Sequence, residues 1–172
     1  MKSKRGFPKE VVAAIRDAKI LGIRAGTKPH RLIGIWAVVV GNRVFVRSWG
    51  LKKRGWYSAF LEEPVGVIEV NGREFPVRAV FTRSERLKKL VDRAYAKKFN
   101  TPWSRHFVQG FARSKKRRDT TTELVMGKRG KGERVRGKAE VGSLTLPSAH
   151  FILSNFRTLR HESEEVVDGQ RQ

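Results

Sequence analysis

IGIWAVVVGNRVFVRSW, residues 33–49, is the stretch on which the fold turns. The unbroken apolar run Ile33–Val40 reads as a strand covered on both faces. Gly41-Asn42 then interrupts it. Beyond the break, Val44, Val46 and Ser48 alternate with Phe45, Arg47 and Trp49, the period of a second strand. Two strands divided by two residues of this type form a β-hairpin. The run at 33–40 is also far too short to cross a bilayer as a helix.

Working outward, VGVIEV (65–70) and REFPVRAVF (73–81) flank Asn71-Gly72, a second hairpin signal. Pro76 has no amide hydrogen for a ladder, so it belongs at an edge or a bulge. ILGIR (20–24) reads as a short strand, and TTTELVM (120–126), threonine-rich and β-branched, as the last one. FPKEVVAAIRDAK (7–19) is an amphipathic helix with Pro8 in its first turn and Val11, Val12, Ile15 and Ala18 in one stripe. GWYSAFLEE (55–63) is a short helix stopped by Pro64. Thr82 and Glu85 are spaced as a capping box opening a helix that runs to about Phe99. A loop holds Pro102, with a helical turn near HFVQGFA (106–112). The expected fold is mainly β (α+β): a six-stranded antiparallel split β-barrel, closed or half-closed so as to remove exposed edges. Its helices fall at the N-terminus, in one crossover and before the last strand. The folded domain spans 7–126. Residues 127–172 form a basic tail, which GKRGKGERVRGKAE (127–140) marks as disordered. It holds one apolar cluster, HFILSNFRTL (150–159).

With 38 Lys+Arg against 16 Asp+Glu, the 172-residue chain carries a formal charge of +22. Such a field draws polyanions and phosphorylated molecules without choosing among them. No cysteine is present, which excludes disulfides, thiolate metal sites and cysteine nucleophiles. The 4 histidines show no HxxxH or HxH spacing. There is no GxSxG elbow and no P-loop, and no catalytic residue is named. The N-terminus is basic but lacks the apolar run of an export signal, so a soluble cytoplasmic protein without membrane contact is expected. RSKKRRD (113–119) packs five cations into its first six residues and reads as a basic loop. Such a string implies non-specific binding to nucleic acid at low salt through phosphate neutralisation.

Two basic loops remain. AGTKPHR (25–31) lies between strands, and Lys52, Lys53 and Arg54 precede the short helix that begins with Trp56 and Tyr57. Arg47 and Trp49 share a face of their strand. Glu62 and Glu63 close the short helix as surface residues, and Trp36, Trp103 and Phe107 are assigned to packing.

Three segments carry a family resemblance: AGTKPHRLIGIWAVVVGNRVFV, RSWGLKKRGWYSAFLEEP and VIEVNGREFPVRAV. In their order and spacing they resemble the flavin- and deazaflavin-binding split β-barrel proteins. The likeness is nearest to the nitroreductase-like members and to an uncharacterised bacterial family of the same pattern. It implies FMN or a deazaflavin in a groove, often at a homodimer interface, and oxidoreductase chemistry on an unknown small molecule, done by the cofactor itself. Carried over residue by residue, it implies cofactor contacts at Thr27, Lys28 and His30, at Arg47, Ser48, Trp49, Lys52 and Lys53, and at Trp56 and Tyr57. The alternative expectation is a cofactor-free basic barrel that binds nucleic acid or another polyanion through 113–118 and 128–138.

Overall fold

In a computed structural model that describes residues 6–127, Val40 and Arg43 face each other across Gly41-Asn42. Gly41 takes φ +62° and Asn42 does not enter that region. This is the hairpin expected from 33–49, joining β3 (Ala37–Val40) to β4 (Arg43–Val46). The second hairpin, β5 (Val65–Val70) to β6 (Arg73–Phe81), turns with Asn71 at φ 50° and Gly72 at φ 72°. Positive φ at both positions is what selects Asn-Gly there.

β1 (Leu21–Ala25), β2 (Ile33–Ile35) and β7 (Thr122–Met126) complete one sheet, in the order β2-β1-β5-β6-β7-β4-β3. It has seven strands rather than the six expected, because the predicted strand 33–40 is divided at Trp36. The division follows from closure. The first half of the ribbon pairs with β1 (Leu21↔Ile35, Ile23↔Ile33), and the second half pairs with β4 (Ala37↔Val46). At the switch, the Trp36 carbonyl accepts the Tyr95 hydroxyl at 3.0 Å. The two outermost strands are thus consecutive halves of one ribbon, and the antiparallel sheet forms a nearly closed barrel in a mixed α+β fold.

Pro76 sits where β7 has run out: Met126 pairs with Val77, and the Pro76 carbonyl accepts only the Gly127 amide, at 2.9 Å. The return bond of that pair, from residue 76 to Gly127, is the one its missing donor leaves out, and the ladder ends there.

Five helices occur among the described residues: α1 (Lys9–Asp17), α2 (Trp56–Glu62), α3 (Glu85–Lys98), α4 (Pro102–Arg113) and α5 (Lys115–Asp119). Three expectations change here. α3 is capped by Ser84, whose side chain accepts the Leu87 amide, while Thr82 accepts the Ser84 amide; the predicted Thr82–Glu85 box is not used. The turn near HFVQGFA is a twelve-residue helix, with Thr101 as its cap and Pro102 at its first position. RSKKRRD is not a loop: Ser114 caps α5 within it.

The packing has two cores. Inside the barrel, Val44, Val46, Ile68, Val77 and Leu124 meet Val11, Val12 and Ile15 of α1 and Phe60 of α2. Outside it, Val38 and Phe45 lie under Val91, Tyr95, Phe99, Val108 and Phe111 of α3, α4 and their linker. Alternate residues of β3 and β4 serve the two cores, which is why 37–40 could be apolar throughout.

The chain divides into two units, Met1–Arg129 and Gly130–Gln172. The second unit lies outside the described residues, as does all of the predicted tail beyond Gly127, with the segment 128–138 and the cluster 150–159. No described helix is long and apolar enough to cross a membrane.

Candidate functional site

Antiparallel pairing decides where the connections go. The hairpins at 41–42 and 71–72 close one end of the barrel. The three long connections, 26–32, 47–64 and 82–121, all leave from the other. Both predicted basic loops therefore open at the same end.

In the first loop, Gly26 takes φ +80°. Behind it, the Thr27 amide and hydroxyl both donate to one carboxylate oxygen of Glu63, at 2.9 and 3.0 Å. Both ring nitrogens of His30 face main-chain carbonyls, of Arg31 at 2.9 Å and of Ala25 at 3.0 Å, so the ring braces the loop. Lys28 is exposed. Glu63 caps the C-terminus of α2, so the first loop is tied to the helix that the second loop opens. Phe60 anchors that helix at Gly66, where a methyl group would stand 2.4 Å from the Arg24 carbonyl oxygen and 2.9 Å from the Phe60 ring.

In the second loop, the Gly55 amide and the Ser58 hydroxyl both donate to the Lys52 carbonyl, at 3.1 and 3.0 Å. This turn leaves Lys52, Lys53 and Arg54 exposed. Trp56 and Tyr57 follow, half-buried. Trp56 packs against Phe60, and Tyr57 meets Phe81 edge-on, with centroids 5.7 Å apart. Burial first, and then the negative charge of Asp119, raise the Tyr57 phenol above its ordinary range. Thr27 and Trp56 stand at opposite ends of α2, a seven-residue helix roughly 10 Å long.

The remaining predicted contacts are turned inward. Arg47 is buried, and its guanidinium is shared among protein acceptors: the Thr121 hydroxyl at 2.8 Å, the Lys88 carbonyl at 3.0 Å and the Asp92 carboxylate. Ser48 is buried too; its amide donates to the Thr120 hydroxyl and its hydroxyl to the Gly50 carbonyl. The Trp49 ring packs against the guanidinium of Arg117 and the side chains of Phe107 and Phe111. These three residues join the barrel to α3–α5. The structure thus gathers Thr27, Lys28, His30, Lys52, Lys53, Trp56 and Tyr57 at one end and draws Arg47, Ser48 and Trp49 into the packing.

Beside them lies a charge network that the sequence did not announce. Lys88, almost wholly buried, donates to Glu85 at 3.0 Å and to Asp119. Arg118 reaches Glu85 at 2.9 Å and Asp92 at 3.1 Å. The hydrogen bond from Lys88 holds the Asp119 and Glu85 carboxyls below the usual carboxylate range. A separate shallow groove of about 440 Å³ lies between α3 and the barrel wall, lined by Arg43, Thr82, Ser84, Arg86, Leu87 and Leu90. No group of three or more His, Asp or Glu that could hold a metal occurs among the described residues.

Sequence reasoning missed Glu63, which it placed on the surface, and Arg117. A glutamate at a helix end carries no local sign of a partner 36 residues earlier.

A family model described as an uncharacterized protein conserved in bacteria (DUF2255) matches residues 10–124. No curated protein matches the chain. Among solved structures, it is similar to a conserved hypothetical protein, Rv2991, from Mycobacterium tuberculosis, with 10% identity over 76% of this chain and 86% of that one, at a TM-score of 0.45.

Proposed function

We propose, from the premise that this chain belongs to the DUF2255 family of uncharacterized bacterial proteins, that the open end of its barrel binds a phosphorylated planar cofactor, FMN or a deazaflavin. The observation that carries this reading is the pair of Thr27 hydrogen bonds to Glu63. A carboxylate oxygen is the chemical stand-in for a phosphate oxygen: each is an anionic acceptor with no proton to give. The loop already orients an amide and a hydroxyl toward such an oxygen, beside the exposed Lys28. Lys52 and Lys53 add positive charge at the same barrel end. Trp56 and Tyr57 supply aromatic surface for a flat ring. Arg47, Ser48 and Trp49 do not fit contact with the cofactor, since their polar groups and faces are engaged within the protein.

Bound there, the cofactor would supply hydride or electron transfer to a small molecule. The chain's part would be to hold the phosphate, orient the ring and keep water from it. No side chain then has to act as the acid or base.

Titration of the full chain with FMN and with a deazaflavin, read by quenching of cofactor fluorescence, tests the proposal. Saturable quenching is expected, weakened about fivefold or more by Lys52→Ala with Lys53→Ala, as befits the loss of charge-assisted contacts. No quenching by either cofactor at micromolar protein would overturn it.

A further inference from the structure

Two basic segments far apart in the chain meet through one contact. Arg117 lies over the Trp49 ring, 3.7 Å from its centroid, and its Nε donates to the Trp49 carbonyl at 3.1 Å. This sets Trp49, at the start of the 47–64 connection, beside the junction of α4 and α5, where Arg113, Lys115 and Lys116 are exposed. α4 has no acidic residue. α5 has one, Asp119, and its carboxylate is engaged by Lys88. Asp119 also lies near Lys115, yet it is one carboxylate against the cations of both helices, so this face remains net positive.

The same face carries aromatic rings. Trp103 is 48% exposed. His106, one turn further along α4, is also exposed, and its ring stands 6.2 Å from that of Trp49. Gly110 is what admits Trp49: a methyl group there would stand 2.5 Å from the ring. Trp103, His106 and Arg113 recur at helical spacing along one side of α4, so rings and cations follow one another in a line.

We infer that this face of α4 and α5, with the Trp49 loop, is a binding surface for single-stranded nucleic acid. Charge alone would hold any polyanion. Exposed rings leading into a run of cations suit a strand whose bases are free to stack while its phosphates are neutralised. In a duplex the base faces are hidden, and the rings would contribute little. The inference does not rest on the cofactor proposal, and its decisive residues lie outside that site.

The test is fluorescence anisotropy of the full chain with a labelled oligothymidylate of about 20 nucleotides, long enough to span one domain. Arg113→Glu with Lys116→Glu should weaken binding about tenfold or more and lower the log–log salt slope by about 1.4 or more. Lys89→Glu with Arg93→Glu, an equal charge change on exposed positions of α3, should weaken it less than about threefold, which separates a local surface from net charge. Thermal unfolding establishes that both variants remain folded. An abasic strand of equal length should bind more weakly than the oligothymidylate, and Trp103→Ala should narrow that difference. Equal losses in the two charge-reversal variants would overturn the inference. So would equal affinity for the abasic strand, or tighter binding to duplex DNA or to vesicles of anionic lipid.

Discussion

Gly110 and Trp49 are in close packing: a methyl group built on the glycine would stand 2.5 and 2.6 Å from two carbons of the indole. The relationship reverses an ordinary rule. Within a helix, Gly→Ala normally stabilises by about 1 kcal/mol. Here the added carbon meets a ring already packed against Arg117 and Phe107. Gly110→Ala should destabilise the fold by about 1–3 kcal/mol, the cost of overpacking. Urea unfolding measures it, and a raised midpoint would show that Trp49 has room to yield.

Arg47 separates structural from ligand-binding roles. Its side chain is fully buried, and its partner Asp92 is 21% exposed. Asp92 keeps Arg118, but Arg47→Ala opens a cavity and strips the Thr121 hydroxyl and the Lys88 carbonyl of a buried donor, so it should cost about 2–4 kcal/mol of stability. Normal stability combined with lost cofactor affinity would instead return Arg47 to the binding site.

If the proposed cofactor binds, its phosphate would have to compete with Glu63 for the donors of Thr27. Glu63→Gln keeps an acceptor but removes the charge, so affinity for FMN or a deazaflavin should rise severalfold by fluorescence titration. Reduced affinity in a folded variant would mean that Glu63 shapes the site rather than filling it.

On the acid side, Asp119 and Glu85 titrate below their ordinary values because Lys88 donates to both. A carboxyl whose folded pKa is depressed contributes stability above its unfolded value, and loses that stability as pH falls through the folded one. Unfolding midpoints should therefore drop below about pH 4, the ordinary range of carboxyl groups. Asp119→Asn should flatten that drop; an unchanged acid limb would show that the pair contributes nothing measurable.

Lys98 gives the opposite limb. Its ammonium donates to the Ile15 and Ala37 carbonyls, each at 2.8 Å, and burial lowers its pKa to about 8. Between that value and its ordinary 10.5 the unfolded chain holds a proton that the folded chain has released. Stability from this group should thus rise with pH across that window. Lys98→Met should remove the rise in a pH series of thermal melts.

How much of this was legible follows from how local each cause is. Asn71-Gly72 specifies its turn through the conformations its own two residues tolerate, and the hairpin is where it was expected. Alternation in 43–49 correctly put Arg47 and Trp49 on one face, the face of Phe45. It could not show that α3, α4 and α5 cover that face, so an arginine expected to meet a cofactor lies buried under residues many positions later. Thr101-Pro102 is a helix start in plain view, yet the glycine at 110 obscured the twelve-residue helix that follows, because its fit against Trp49 is a tertiary fact. The Thr82–Glu85 spacing suits a cap, but Ser84 reaches the Leu87 amide first.

By itself, then, the chain determined its hairpins, the period and both faces of its strands, its first three helices and its strongly positive charge. These depend on backbone conformations and on burial patterns within a few residues. Tertiary structure alone decided that 33–40 breaks at Trp36 to close the barrel, that the basic loops share one end, and that Glu63, Arg47 and Arg117 find the partners they do. Those contacts join residues from 36 to 74 positions apart. Their energies depend on which surfaces folding brings together, and no short stretch of chain encodes that.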